Sequence, residues 1–317
     1  MARTSTLPKR LQPMLATLTD APFDDPEWVF EDKYDGFRMV ASIEDGKVTL
    51  YSRNGKIVSH SYVDVARALE KVKGNAVLDG ELVALDGHGV SRFQLLQNAL
   101  RHEAKLVYCV FDVMFSGGED LRGLPLLERK KRLKSVLPRH KLVAYSEHRK
   151  QMGTKFFKET EEHGLEGIMA KRADSPYLSG DRTANWLKMK TAKRQEAVIA
   201  GYTPPRGSRP FFGALALALR DDGQWRYIGN VGAGFSHEML ATLYEKLIPL
   251  KTGRSPFTTK IKNQGTITWV KPKLVAEIKF TEWTTAGEMR HPVFLGLRTD
   301  KAAQDVILEK ELPRKKK

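Results

Sequence analysis

The sequence predicts an α+β domain followed by a smaller β-barrel domain. The chain has 317 residues, which exceeds the usual size of a single domain. Up to residue 193, helical and strand segments follow one another in irregular order with hairpins, which favours α+β over regular α/β alternation. From residue 194 to 317, short strands surround one helical segment and are separated by loops rich in Gly, Pro and Arg. We therefore expect two domains, 1–193 and 194–317.

The elements of the first domain begin with a hairpin. The segment "FRMVASIEDGKVTLYSRNG" alternates apolar and polar residues on both sides of Asp45-Gly46, a dipeptide that favours a tight turn. Short apolar runs rich in β-branched and aromatic residues predict buried strands at "AVLDGELVAL", "KLVYCVFDVMF" and "EGIMAKR". Apolar residues at helical spacing predict helices at "DVARALEKVKG", "SRFQLLQNALR", "LPLLERKKRLKSVLP" and "TKFFKETEEHG".

The second domain carries mostly strand patterns. Predicted strands are "EAVIAGYT", "GALALAL", "WRYIGNVG", "LVAEIKFTEW" and "VFLGLR", and the one predicted helix is "SHEMLATLYEKL". Several short strands with one helix and basic loops are typical of a small β-barrel of the oligonucleotide-binding (OB) type.

Charge and composition narrow the class of partner. A formal charge of +15, from 53 Lys and Arg against 38 Asp and Glu, predicts a polyanionic partner, and nucleic acid fits best. No apolar run approaches the ~20 residues that span a bilayer, and "MARTSTLPKR" lacks an apolar signal segment, so we expect no membrane association. The single cysteine, Cys109, excludes an internal disulfide and favours a reducing, cytoplasmic setting. The histidines lack the spacing of zinc or haem ligands.

Polar residues interrupt several predicted strands where a core would favour apolar ones. They are Asp79, Glu81, Glu166, Lys188 and Lys190. Alternation along a strand places Lys188 and Lys190 on one face. Each residue alone is equally compatible with an exposed strand end or an ion pair, and "EDKYDGFR" around Lys33 is compatible with a charged hairpin end. Together these residues predict a polar cleft, because burying a polar or charged side chain without a partner is costly.

The motifs that carry these residues occur in a recognisable order. They are Lys33-Tyr34-Asp35-Gly36 with Arg38, Ser52-Arg53-Asn54-Gly55, Asp79-Gly80-Glu81, Val110-Phe111-Asp112, Glu166-Gly167 ending at Lys171, and Lys188-Met189-Lys190. This series resembles that of the covalent nucleotidyltransferases, and within them the ATP-dependent DNA ligases. The ending "FTEWTTAGEMRHPVFLGLRTDK", with Arg298-x-Asp300-Lys301, is similar to the ligase module of bacterial ligase D. The resemblance extends from "LPKRLQPMLATL" to about Lys301, and implies a nucleotidyltransferase (adenylation) domain followed by an OB-fold domain.

The resemblance implies a reaction in three steps and a role for Lys33. The enzyme attaches AMP to this lysine, passes AMP to the 5′-phosphate of a nick, and lets the 3′-hydroxyl displace it. A lysine amine suits the first step because a phosphoramidate remains reactive enough to transfer its nucleotide. Lysine is normally protonated, and we expect Lys188, Lys190 and a bound Mg²⁺ or Mn²⁺ to disfavour the protonated form.

The resemblance also implies roles for the remaining residues. Glu31 would contact the adenine edge and Phe111 its face, although spacing alone equally allows a core aromatic at 111. Glu81 would hold the ribose or, through water, the metal, and Glu166 with Asp35 would bind the metal. Lys188 and Lys190 would grip the α-phosphate, and Arg38 and Arg53 the ribose or the 5′-phosphate of the nick. Arg298 and Lys301, in the motif that includes Asp300, would orient the departing pyrophosphate, and would act in the first step only.

The expected partner is nicked double-stranded DNA, bound through phosphates and therefore salt-dependently. Candidate DNA contacts are Arg206, Arg209, Lys260, Lys262 and Lys315 to Lys317. Each is equally compatible with a solvated charge, and for the tail, Lys315 to Lys317, the solvated charge is favoured. We expect a monomer located at the nucleoid, working in non-homologous end joining with a Ku-like end-binding protein, either free-standing or as a piece of a larger ligase. The alternatives are an RNA ligase, a GTP-dependent capping enzyme, and a non-catalytic nucleic-acid-binding protein.

Overall fold

The structure is a computed structural model that describes residues 7, 12–19, 21–99, 104–205, 207–259, 261, 266–309 and 311–312. The chain forms two compact units, Met1–Thr191 with Lys310–Lys317, and Ala192–Glu309. The first division lies close to the predicted boundary at residue 193. At the second division, the described residues 311–312 group with the first unit.

Eleven strands and four helices form the first unit up to residue 191, within the described ranges. The strands are β1 (Leu15–Thr19), β2 (Trp28–Asp32), β3 (Phe37–Glu44), β4 (Lys47–Ser52), β5 (Ala76–Leu85), β6 (Lys105–Ser116), β7 (Glu119–Asp120), β8 (Val143–Tyr145), β9 (Arg149–Lys150), β10 (Gly167–Arg172) and β11 (Arg182–Lys190). The helices are α1 (Val63–Leu69), α2 (Phe93–Asn98), α3 (Leu126–Val136) and α4 (Gly153–Glu162), with a 3₁₀ turn at Ser59–Ser61.

The second unit contains β12 (Arg194–Tyr202), β13 (Leu215–Asp221), β14 (Gln224–Val231), α5 (His237–Leu247), β15 (Thr268–Trp269), β16 (Val275–Lys279), β17 (Glu282–Trp283), β18 (Met289–Arg290) and β19 (Val293–Arg298). Short 3₁₀ turns lie at Ile248–Leu250 and Ala303–Asp305. The last strand, β20 (Glu311–Leu312), belongs to the first unit because it pairs with β1. In the part of the chain that the structure describes, no helix has the length and apolar character needed to cross a bilayer.

Two sheets form the first unit. Sheet I has the strand order β20-β1-β11-β10-β2-β9, and sheet II has the order β4-β3-β5-β6-β7, with β8 pairing to β6. The two sheets enclose an apolar cluster that includes Val40 and Phe111 from sheet II and Trp186 from sheet I. Behind sheet I, Phe30 and Leu187 pack against α4. Each sheet therefore has one face toward the other sheet and one covered by helices.

Residues 33–36 connect β2 of sheet I to β3 of sheet II. A Cβ atom at Gly36 would lie 2.2 Å from the backbone oxygen of Leu82 in β5, so the close approach of two backbones requires glycine here. The Asp-Gly dipeptide that follows Lys33 is therefore a crossing between sheets. The alternative of a charged hairpin end is wrong at this position.

The second unit is a small curled barrel. Its strands follow the order β14-β13-β12-β16-β19, and a parallel bridge between Ala233 and Val293 links the segments at the two ends of this order. Ser236 caps the N-terminus of α5 by accepting a hydrogen bond from Met239 N at 3.2 Å. Leucines of α5 pack into the same core as the strands. Five strands with a helix between the third and fourth form the barrel that the sequence predicted.

The sequence predicted the longer elements but missed some short ones. The hairpin β3–β4 turns at Asp45-Gly46 as expected, with φ of 49° and 76°. The helix predicted to continue to Gly74 ends at Leu69, and "LVAEIKFTEW" divides into β16 and β17. Strand β2 was not predicted because its end carries two acids, a composition more common in loops.

Candidate active site

Lys33 follows β2 and lies against the start of β10. Its Nζ is 2.5 Å from Oε1 of Glu166, and the two side chains are 17% and 6% exposed. The backbone N–H of Lys33 donates to Gly167 O at 2.9 Å. At Gly167, with φ of 152°, a Cβ would lie 2.0 Å from Met189 O, so this position of the sheet also requires glycine. Backbone and side chain together fix where the amine lies.

Lys188 and Lys190 lie on one face of β11, as predicted. Lys190 is directly opposite Gly167, and Lys188 is opposite Met169, which is opposite Glu31. Directly paired residues in antiparallel strands point to the same side of a sheet. Glu31, Lys188 and Lys190 therefore share the face of sheet I that is opposite to α4, and both lysines are partly exposed there.

Glu31 is buried in an ion-pair network. Its Oε1 accepts from Lys130 Nζ at 2.7 Å, and its Oε2 accepts from Lys171 Nζ at 2.8 Å and from Ser146 Oγ at 3.3 Å. Burial alone would raise the pKa of Glu31, but the two ammonium groups outweigh burial and hold the pKa below its ordinary value. Glu31 is therefore a carboxylate that presents only acceptors.

Arg38 is clamped by Asp79. Nε and Nη2 donate to the two carboxylate oxygens of Asp79, both at 2.6 Å, and Nη2 also donates to Met14 O at 3.3 Å. Tyr177 donates to the same carboxylate through its hydroxyl at 2.6 Å. Asp79 is fully buried, whereas the Arg38 side chain is 18% exposed. A bidentate fork of this kind fixes the guanidinium plane.

Phe111 has cations close to its ring. The Arg38 guanidinium carbon lies 4.5 Å from the ring centroid and Lys171 Nζ lies 4.3 Å from it. Trp186 meets the ring edge-on at 6.1 Å, and Phe111 is 7% exposed. The aromatic is therefore part of the packed cluster between the sheets and connects the Arg38 and Glu31 networks.

The other predicted residues of the first unit lie near these networks. Glu81 is directly opposite Arg38 in the β3–β5 pairing and is partly exposed. The backbone N–H of Asp35 donates to Ser91 Oγ at 3.3 Å. Arg53 lies in the turn after β4 and is partly exposed. Among the residues that the structure describes, no three His, Cys, Asp or Glu side chains are grouped closely enough to hold a metal ion.

In the second unit, the predicted C-terminal motif forms a charge cluster. Nε and Nη2 of Arg298 donate to Asp300 at 2.8 and 2.7 Å, and Nη1 donates to Glu277 Oε2 at 3.5 Å. Lys301 Nζ is bonded to Glu196 Oε2. The side chains of Arg298 and Lys301 are 14% and 9% exposed, so both cations are held by carboxylates of their own unit.

Both parts of the chain match family models. Residues 13–190 match the ATP dependent DNA ligase domain, and residues 208–301 match the ATP dependent DNA ligase C terminal region. The chain belongs to the ATP-dependent DNA ligases. Its two units are accordingly the nucleotidyltransferase domain and the OB-fold domain of this family.

Curated relatives align with almost the whole chain. The multifunctional non-homologous end joining protein LigD of Pseudomonas aeruginosa is 37% identical over 322 residues, which covers 96% of this chain and 37% of that protein. The corresponding LigD of Mycobacterium tuberculosis is 38% identical over 304 residues, covering 94% of this chain and 40% of that protein. The chain thus spans about two fifths of the length of these curated relatives.

Two solved structures resemble this chain. Mycobacterial DNA ligase D complexed with ATP and MES has a TM-score of 0.70 and 34% identity, covering 94% of this chain and 98% of that chain. The ligase domain of M. tuberculosis LigD has a TM-score of 0.53 and 37% identity, with the same coverage.

The predicted nucleotide contacts of Glu31 and Phe111 stay predictions, and the structure shows what each requires. An adenine amino group that reaches Glu31 must share the carboxylate with Lys130, Lys171 and Ser146. A base that stacks on Phe111 would lie near Arg38 and Lys171, whose charged groups are 4.5 and 4.3 Å from the ring centroid. Phe111 packs in the apolar cluster between the sheets, and its stacking on a base stays a prediction.

Sequence reasoning gave no role to several buried charged residues of the first unit. Arg129 and Lys130 belong to "ERKKR" of α3, where nothing distinguishes them from exposed neighbours, yet both are at most 1% exposed. Arg129 forms a fully buried bidentate pair with Asp112, both bonds at 2.9 Å. Lys171 is the last residue of the motif that begins with Glu166-Gly167, but the sequence predicted no role for it. In the structure it contacts Glu31, which lies 140 positions earlier in the sequence.

The candidate DNA contacts are mostly outside the described residues. Arg206, Lys260, Lys262 and Lys315 to Lys317 all lie there. Arg209 is described: its Nη1 donates to Gly232 O at 2.5 Å, and its guanidinium carbon lies 5.1 Å from the Phe235 ring centroid. Its role in DNA binding stays a prediction.

Proposed function

We propose that this chain seals nicks in duplex DNA through a covalent lysyl-AMP intermediate on Lys33. The observation that carries the proposal is the Lys33–Glu166 contact of 2.5 Å beside a sheet face with two further lysines. An amine fixed at this point is suited to in-line attack on a phosphate held by the neighbouring cations. Family membership supports the reaction class.

In the first step, Lys33 Nζ forms a bond to the α-phosphorus of ATP as the bond to pyrophosphate breaks. The amine loses a proton, and Glu166 is the carboxylate within hydrogen-bonding reach of it. Lys188 and Lys190 neutralise the charge that develops on the α-phosphate oxygens. Arg298 and Lys301, with Asp300 in the same motif, orient the pyrophosphate.

In the next two steps the nucleotide leaves the lysine. A 5′-phosphate oxygen of the nick attacks the lysyl-AMP phosphorus, the P–N bond breaks, and the amine regains its proton. The 3′-hydroxyl then loses its proton to solvent and attacks the 5′-phosphorus, so a phosphodiester forms as the bond to AMP breaks and AMP departs. Arg38 and Arg53 would hold the ribose or the 5′-phosphate, and Arg38 would do so while clamped to Asp79.

A divalent cation fits the donor chemistry of this site. Mg²⁺ favours oxygen ligands and is commonly held by one or two carboxylates together with substrate phosphates, so a closed cage of three protein carboxylates is not required. Glu166, Asp35 and Glu81 would hold Mg²⁺ or Mn²⁺, and Glu166 would share its carboxylate with Lys33. When bound, the ion neutralises phosphate charge.

We further propose that the ligase acts on nicked double-stranded DNA as a monomer in the bacterial cytoplasm, at the nucleoid. Its cellular role would be repair of double-strand breaks by non-homologous end joining, with a Ku-like protein at the DNA end. The similarity to LigD proteins and the charge of +15 support this proposal. No observation favours an RNA ligase or a GTP-dependent capping enzyme.

Adenylation tests the central claim directly. Incubation with labelled ATP and Mg²⁺, followed by mass spectrometry, should locate AMP on Lys33, and a chase with nicked duplex should transfer it to the 5′-phosphate. Lys33→Ala should abolish the adduct while nicked-DNA binding is retained. Lys47→Ala, at an exposed position of β4, is the matched control and should adenylate normally. An adduct that persists in Lys33→Ala would refute the assignment.

A further inference from the structure

Two buried carboxylates lie directly opposite each other on adjacent strands of the second unit. Glu196 of β12 is directly opposite Glu277 of β16, and the two residues are 8% and 5% exposed. Their sequence neighbours on these strands are buried, and most of them are apolar. Like charges directly opposite on adjacent strands are destabilising, and their burial adds a desolvation cost. Neither glutamate belongs to the apolar core of the barrel, so apolar packing gives no reason for this pair.

The two cations of the C-terminal motif account for the pair. Lys301 is bonded to Glu196, and Arg298 reaches Glu277 at 3.5 Å while Asp300 binds the other edge of the guanidinium. Each carboxylate of the cross-strand pair therefore holds a different cation. Replacing a buried ion pair with apolar residues is often neutral or stabilising, so this cluster is better explained by what it positions than by stability.

Gly296 contributes to the same row of the sheet. Gly296 lies on β19, directly opposite Glu277 of β16. The row Glu196–Glu277–Gly296 across the three strands therefore carries two acids and no third side chain. The two cations follow on the same chain segment, at 298 and 301. The three strands thus place two acids beside the segment that carries the motif.

We propose that Glu196 and Glu277 are positioning residues for the adenylation step, which hold Lys301 and Arg298 in the arrangement that meets pyrophosphate. This inference rests on the proposed function, in which these cations act only in the first step. A lysine side chain has large rotamer freedom, and a fixed carboxylate removes it before the nucleotide arrives. Immobilising one such side chain corresponds to about three- to tenfold in an equilibrium or rate constant.

The experiment separates the first step from the third. Glu196→Gln keeps the size of the side chain and removes its charge, and Glu245→Gln is the matched control at an exposed position of α5. Self-adenylation with ATP is measured for the first step, and sealing of a pre-adenylated nick for the third. We expect Glu196→Gln to slow adenylation about three- to tenfold with sealing within about twofold of wild type, and Glu245→Gln to match wild type in both.

Three outcomes would overturn the inference. Equal losses in both steps would assign Glu196 a structural role, and no loss would assign it none. Faster adenylation would mean that the carboxylate competes with pyrophosphate for Lys301. If Glu196→Gln does not fold, Glu277→Gln gives the same test through Arg298. Failure of the wild-type protein to adenylate would instead refute the proposed function.

Discussion

Lys130 offers the sharpest test of the network that surrounds the site. Its ammonium donates to Glu31 at 2.7 Å and to Ser146 O at 2.9 Å, and the Lys130–Glu31 pair is at most 2% exposed. Lys130→Met preserves helix propensity and much of the volume but leaves the buried carboxylate with one cation fewer. Removing one partner of a buried ion pair costs about 3–5 kcal/mol.

Thermal and chemical denaturation of the full chain measure this loss of stability, if unfolding is monitored by a signal that reports on the first unit. A unit of this size loses about 2–4 °C of melting temperature per kcal/mol, so the expected decrease is about 6–20 °C. Lys131→Met removes the same charge from the next position of α3, which is exposed, and should change stability by less than about 0.5 kcal/mol. If the two variants differ by less than about 1 kcal/mol, a buried ion pair of normal strength is refuted.

Two further predictions concern the same region. The pKa of Glu31 is lowered in the folded state, so its contribution to stability is present above the ordinary glutamate pKa and is lost as pH falls through the lowered value. The difference in stability between wild type and Lys130→Met should therefore become smaller in acid. A difference that stays constant in denaturation curves measured at acid pH would contradict this. Gly36→Ala places a Cβ 2.2 Å from Leu82 O, which should destabilise the first unit by about 1–3 kcal/mol and slow adenylation. Gly87→Ala places a Cβ with nothing within 4 Å, so it should leave stability and the adenylation rate unchanged. Equal stability and equal adenylation rates of the two variants would refute the close approach at Gly36.

Much of the fold was readable from local pattern. The hairpin β3–β4, the buried strands β5 and β6, and α3 follow from apolar periodicity and turn residues, which are properties of neighbouring positions. The alternation of Lys188 and Lys190 likewise fixed their common face. Short strands such as β2 and β20 were not readable, because they are stabilised by pairing with distant strands more than by their own composition.

The sequence by itself determined the order of the motifs, the lysine expected to react and the basic character of the chain. Only the tertiary structure decided which charges meet. Lys130 and Lys171 reach Glu31 across 99 and 140 positions, and a lysine in a charged helix looks the same in sequence whether it is solvated or buried. Its state depends on the dielectric surroundings and the opposite charge that the folded chain brings near, and both are set by contacts between residues far apart in sequence.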